Sequence, residues 1–197
     1  MSNKLYFKYG VMGCSKTAQA LMTKFNYEQQ GFNVLLIKPS IDNRDDEGSK
    51  TIIKSRIGLK SEAYAFSQNE NLFKLFSAKN KIKKIDVVIV DECQFCKTHQ
   101  VEELKKITKF VPVICYGLKT NFKTKLFEGS KRLIELADSL TELNSICECG
   151  KKATLNGRFI NGKLATSGSE ILIGGDESYK ALCFDCYQKH KNKNTSV

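Results

Sequence analysis

The sequence predicts an α/β fold, a mostly parallel sheet with helices on both faces, followed by a small cysteine-rich segment. Three observations carry that expectation. A short apolar strand from Lys4 to Gly10 turns through glycines into a helix opened by Lys16 and Thr17. A second apolar strand, Val87 to Asp91, ends on a carboxylate with Glu92 directly after it. Four cysteines near the C-terminus fall into two close pairs. Apolar strands alternating with helices build parallel sheets, whose ligands bind beyond the carboxyl ends of the strands.

The first strand and turn carry most of the chemistry. Gly10, Val11, Met12, Gly13, Cys14, Ser15, Lys16 and Thr17 read as a phosphate-binding loop, G-x-x-x-x-G-K-[ST]. Backbone N–H groups of such a loop wrap the phosphates of a nucleoside triphosphate, the lysine neutralises them, and the hydroxyl takes a place on Mg²⁺. The following helix N-terminus adds its partial positive charge. Gly10, Lys16 and Thr17 hold three of the four fixed positions, whereas Ser15 stands where the second glycine belongs. Its Cβ can crowd the approach of backbone to phosphate, and Gly13 is the residue expected to absorb it. The plainer reading is an ordinary strand-to-helix turn.

The helix from Thr17 to Gly31 places Ala18, Leu21, Met22 and Phe25 on one stripe. Asn33 to Pro39 is nearly all apolar, as suits a strand buried on both faces. Together with the first strand and helix it makes one βαβ unit. Ser40 to Lys50 is polar and acidic, is read as a mobile loop, and contains Asp42, Asn43 and Arg44. Thr51 to Phe66 alternates short apolar and polar stretches, and Glu70 to Ala78 is expected to be helical. Val87 to Asp91 has the form of a Walker B strand, whose acid helps to hold the nucleotide's Mg²⁺. An amphipathic helix from Val101 to Phe110, a core strand from Val111 to Gly117 and a helix from Ser130 to Ala137 complete a P-loop, RecA-like domain over residues 1–144. From Ser145 the texture changes: glycines and cysteines take over, helical periodicity fades, and residues 145–197 form a second unit with a frayed end.

In that unit Cys147 and Cys149 form one knuckle and Cys183 and Cys186 another, with 33 residues between Cys149 and Cys183. Four thiolates suit a tetrahedral structural Zn²⁺, which would staple a segment too small to build its own core. Buried reduced thiols are the other reading, and leave the pairing unexplained. Cys93 and Cys96 also form C-x-x-C, but beside Glu92 no metal is expected.

The 197 residues are 41% hydrophobic and 27% charged, enough for one domain with a small appendage. No apolar run approaches a membrane span, and the first residues lack the regions of a signal peptide, so a cytoplasmic protein is expected. The net charge of +11 attracts polyanions, but its lysines are dispersed as on solvated helix faces. A nucleotide substrate accounts for the charge as well as nucleic acid does, and neither a nucleic-acid nor a membrane partner is expected.

The order of these motifs, together with DExQF at the second acidic strand, YGL-x(3)-F downstream and ILIGG-x(3)-Y within the cysteine segment, resembles thymidine kinases of the cytosolic and bacterial type. The resemblance runs from about Lys4 to Tyr187. It implies transfer of the γ-phosphoryl of ATP to the 5′-hydroxyl of thymidine, with Mg²⁺ and a structural Zn²⁺. Carried over by position, Gly10 to Thr17 would bind ATP phosphates, with Asp42 to Arg44 near the nucleotide and Asp91 and Gln94 at its acidic strand end. Glu92 would be the general base, or else a carboxylate one step removed from Mg²⁺. Phe122 would pack at the thymine. Glu170, Ile171, Leu172, Ile173 and Gly174 would form a lasso loop reading the base through its backbone. Tyr179 would contact the nucleoside or, equally, pack in the ribbon core beside Leu182. Cys147, Cys149, Cys183 and Cys186 would hold the zinc. The resemblance also implies a homotetramer, with thymidine triphosphate as a candidate feedback inhibitor. Ser15 leaves open a family member that binds without turnover, and the net charge with the RecA-like motif order leaves open a zinc-ribbon ATPase acting on nucleic acid.

Overall fold

The computed structural model describes residues 3–169 and 178–193. A six-stranded sheet runs in the order β5-β2-β6-β7-β1-β8, with every neighbouring pair parallel. Its strands are β1 (Leu5–Gly10), β2 (Val34–Pro39), β5 (Tyr64–Phe66), β6 (Val87–Val90), β7 (Val113–Leu118) and β8 (Ser139–Leu143). Helices cover both faces, as expected. The period of two in a strand sends Val88, Val90, Val113 and Cys115 to one face, against Leu72, Phe76, Val101, Leu104 and Leu133. Those partners come from α2 (Leu72–Ile82), α3 (Thr98–Ile107) and α4 (Glu128–Leu136). Val87, Ile89, Ile114 and Tyr116 face the other way, onto Ala20 and Leu21 of α1 (Lys16–Gln29).

Helix ends differ from expectation where a side chain decides them. Asn71 caps α2 by accepting from the Lys74 N–H at 2.7 Å, so the helix begins at Leu72 rather than Glu70 and runs past Ala78 to Ile82. The edge strands β5 and β8 were not evident in the sequence, because an edge strand is partly wetted and needs no continuous apolar run. Between β2 and β5 the chain makes a small hairpin of β3 (Ile52–Lys54) and β4 (Lys60–Glu62).

The C-terminal segment folds as a three-stranded antiparallel ribbon, β10-β9-β11, of β9 (Leu155–Ile160), β10 (Lys163–Leu164) and β11 (Tyr179–Leu182). It closes with α5 (Phe184–Lys193), so the fading of helical periodicity expected there is corrected. Cys186 and Tyr187 turn inward from α5, and the helix is short and mostly polar, which hides its stripe. Among the described residues no helix is long and apolar enough to cross a membrane.

Candidate active site

The carboxyl ends of β1, β6 and β7 meet at one side of the sheet, and each delivers part of a cleft. At β1, a Cβ on Gly10 would stand 2.7 Å from the Leu143 carbonyl oxygen and collide with the Cys14 sulfur, so only glycine fits. Ser15 has φ 63° and ψ 25°, the left-handed conformation a glycine would take freely. Gly13 is also left-handed, at φ 75°, but it does not spare Ser15. The left-handed strain on Ser15, of order 1 kcal/mol, is borne by Ser15 itself. Its carbonyl is already committed to α1, accepting the Gln19 N–H at 2.9 Å. The Lys16 ammonium turns back over the loop, donating to the Val11 carbonyl at 2.7 Å.

At β6, Asp91 is 3% exposed and lies beside the Thr17 side chain. Burial first, then the neighbouring Glu92 charge, push its carboxyl up to about 7. Glu92 adopts φ 51° and opens a 3₁₀ turn over Cys93–Phe95, which swings its side chain out of the strand line into the cleft. One carboxylate oxygen lies 3.2 Å from Arg44 Nη2, and the other accepts from Gln94 Nε2. Gln94 in turn accepts the Leu118 N–H from the end of β7 at 2.9 Å. Arg44 is held by Asp42, Nε to Oδ1 at 2.7 Å. The segment read as mobile is tied down, because the buried Lys38 ammonium reaches Asp46 at 3.0 Å and the Ile52 carbonyl at 2.8 Å.

These parts enclose a cavity of about 560 Å³. Of the residues expected from the sequence, Met12, Gly13, Ser15, Lys16, Thr17, Asp42, Arg44, Glu92, Gln94, Phe122 and Tyr179 line it. Gly10, Val11, Cys14, Asn43 and Asp91 do not: Val11 and Cys14 are instead packed into the ribbon's apolar cluster with Cys147, Leu164 and Leu182. Phe122 is 1% exposed, more buried than its polar loop suggests, with Arg158 stacked on one face at 3.8 Å. Glu170, Ile171, Leu172, Ile173 and Gly174 lie outside the described residues. Ser55 and Arg56 of the β3–β4 hairpin, Phe95, Phe127 and Asn156 also line the cavity and carried no assigned role. A lone Asn156 in a glycine-containing stretch gives no signal in the sequence.

Away from the cleft, the sulfurs of Cys147, Cys149, Cys183 and Cys186 all lie within 4.8 Å of one another. A tetrahedral Zn²⁺ with bonds of about 2.3 Å would set its sulfurs about 3.8 Å apart, and Cys149 and Cys183 stand at 3.6 Å. Burial works against ionising Cys147, yet the N–H groups of Cys149 and Cys183 bring its thiol down to about 7. The set fits zinc. His190 pairs with Glu148 at 2.8 Å and stays outside it. Cys93 and Cys96 are buried in the core, and burial raises both thiols well above their ordinary value.

The comparisons agree with this geometry. The family model described as thymidine kinase matches residues 3–187. A thymidine kinase of Shewanella oneidensis is 40% identical over 183 residues, covering 91% of this chain and 94% of its own. That of Legionella pneumophila (strain Lens) is 44% identical, covering 91% and 87%. That of Enterobacteria phage T4 is 43% identical over 194 residues, covering 97% and 96%. A match of this extent is decisive: the chain belongs to the thymidine kinase family.

Proposed function

We propose that the chain phosphorylates thymidine, moving the γ-phosphoryl of ATP to the 5′-hydroxyl. The observation that carries this reading is a single cleft in which the phosphate loop, Glu92, Phe122 and Tyr179 are all walls. Lys16, the loop amides and the α1 N-terminus would hold the triphosphate and the charge that builds on its oxygens in the transition state. Thr17 and Asp91, which lie side by side, are the pair to hold Mg²⁺. That ion would neutralise the phosphates and favour the ionised form of Asp91. Arg44 and Gln94 orient the two oxygens of Glu92. Glu92 accepts the hydroxyl proton as the 5′-oxygen bonds to the γ-phosphorus. The bond to the β–γ bridging oxygen breaks, its electron pair leaves with ADP, and positioning supplies most of the rate.

The four cysteines are proposed to bind one structural Zn²⁺, and a chain with this many reduced thiols suits the cytoplasm. Met22 and Phe25 of α1 are more than half exposed, an apolar face that further copies in a homotetramer would cover. Thymidine triphosphate is the proposed feedback ligand, since it would place a base and phosphates in the same cleft. The test sets thymidine phosphorylation beside DNA-stimulated ATP hydrolysis. Thymidine monophosphate formation supports the reading, and ATP hydrolysis answering only to DNA refutes it.

A further inference from the structure

Two buried polar side chains on β9 have partners around the cleft, and neither has a part in the chemistry above. Asn156 is 2% exposed and uses both ends of its carboxamide. Oδ1 accepts the Met12 N–H at 2.8 Å, and Nδ2 donates to the Thr120 carbonyl at 3.0 Å. The orientation of the amide follows from its partners, because an N–H can face only an acceptor and a carbonyl only a donor. Met12 belongs to the phosphate loop. Thr120 precedes Phe122 in the loop that follows β7. One side chain of the ribbon thus joins backbone segments that lie 144 and 36 positions from it in the sequence.

Its neighbours on the strand show that this face of the ribbon is built for contact with the cleft. Arg158, two residues along, stacks on Phe122 and donates to the carbonyls of Ser169 at 2.8 Å and Ser167 at 3.1 Å. The antiparallel register sets Tyr179 directly across from Arg158. On the other face of β9, a Cβ on Gly157 would meet Leu182 and Leu164, the ribbon's own core.

A buried amide satisfied at both ends resists separation of its partners, since parting either one strands a polar group away from water. The phosphate loop and the Thr120–Phe122 loop are therefore not free to move independently. We propose that Asn156 is a positioning residue that couples the two halves of the cleft, so that filling the phosphate loop orders the loop carrying Phe122. By linkage the effect is reciprocal: a ligand packed on Phe122 tightens triphosphate binding by the same factor. The inference rests on the two-substrate reading above and adds the residue through which the half-sites communicate.

Amide hydrogen exchange on the full chain tests it, with Mg²⁺ and a non-hydrolysable ATP analogue and without any nucleoside. In the unaltered protein the analogue slows exchange at Leu118 to Lys123 as well as in the phosphate loop. In Asn156→Ala the slowing at Leu118 to Lys123 disappears while the phosphate loop remains protected. Asn156→Asp has the same size and, when ionised, keeps the acceptor but loses the donor. It serves as the second variant should alanine impair folding, and the same loss is expected. In both, kcat/KM for thymidine falls by roughly tenfold or more, the equivalent of one hydrogen bond left unmade, while the ATP analogue binds with little change. Equal protection of Leu118 to Lys123 in variants and unaltered protein overturns the inference even if activity drops, as does no response in the unaltered protein. A chain that transmits protection through Asn156 yet fails to phosphorylate thymidine leaves the inference standing and removes the proposed substrate.

Discussion

Strand β6 is buried on both faces along its whole length, with Val87, Val88, Ile89 and Val90 all at 0% exposure, whereas the ribbon strand β9 fills one face with polar side chains aimed at the cleft. The sheet region closes its core by itself, from strands and four helices. The ribbon has three short strands and one helix, leaves Ile146, Ile160 and Phe184 more than half exposed, and completes its apolar cluster with Val11 and Cys14 of the phosphate loop. A region that draws on a neighbour for its core needs a staple, and the four sulfurs are placed to be one. On the proposed reading the sheet would supply the phosphate chemistry, and the ribbon the nucleoside side of the cleft on a frame that a bound metal and contact with the loop would hold in order.

Removing the metal tests this contrast most severely. Stripping zinc by chelation, or Cys149→Ser, is expected to abolish exchange protection in the ribbon and with it thymidine binding, while β1, β6 and β7 stay protected. Structural zinc is worth about 10 kcal/mol or more in isolated zinc peptides, far above what so small a core contributes. Metal analysis of the folded protein is expected to find about one zinc per chain. A metal-free chain whose ribbon amides exchange as slowly as before would end the distinction between the two regions.

Next in size is the division of chemistry from recognition. Glu92→Gln keeps the shape of the sheet region and removes the proton acceptor, so kcat is expected to fall by roughly 10²-fold or more with ATP binding retained. Single-turnover kinetics beside nucleotide titration separate the two effects. Unchanged turnover would return Glu92 to a structural part in holding Arg44 and Gln94.

Ser15 asks how far the sheet region tolerates a local fault. Ser15→Gly relieves left-handed strain but loosens the unfolded chain, two effects of opposite sign and about 1 kcal/mol or less each. The expected result is kcat/KM for ATP changed by less than about tenfold and a melting temperature nearly unmoved. Restoration of several orders of magnitude would instead mark the natural chain as a binder without turnover.

The smallest expected effect lies at the strand starts, far from the cleft. Lys105 first, at 2.5 Å, and then the Leu5 N–H, at 2.8 Å, hold the Asp138 carboxyl below its ordinary value. A depressed acid contributes stability above its unfolded pKa and loses it as pH falls through the folded value. Asp138→Asn should therefore cost about 1 kcal/mol or less at neutral pH, solvent screening included, and the difference should vanish as pH falls through the lowered folded value. Denaturant midpoints measured across that range read it directly. A gap that persists in acid would mean that the loss is one of packing.

How much was legible in the sequence follows the same division. The central strands β6 and β7 could be read because a strand buried on both faces must be a run of apolar residues, and β1 and β2 because apolar residues lead into recognisable turns. β5 and β8 could not, because an edge strand carries no such pattern. Lys16 and Thr17 in the cleft, and Asp91 beneath it, could be singled out by spacing, since a glycine turn and an acidic strand end are local in the chain. Glu92 stood beside Asp91, but its role came from resemblance. The left-handed turn that swings it toward Arg44 is a tertiary fact.

By itself, the sequence determined the α/β layering, the phosphate loop, the acidic strand end and the four-sulfur knuckles, each specified by residues close together along the chain. Only the tertiary structure decided that Ser15 bears its own strain, that Lys38 holds Asp46 in the loop after Asp42 and Arg44, and that Asn156 lines the cleft while Arg158 stacks on Phe122. The physical reason is that a buried hydrogen bond between distant segments is chosen by what packing leaves unsatisfied, and periodicity and spacing hold no record of that choice.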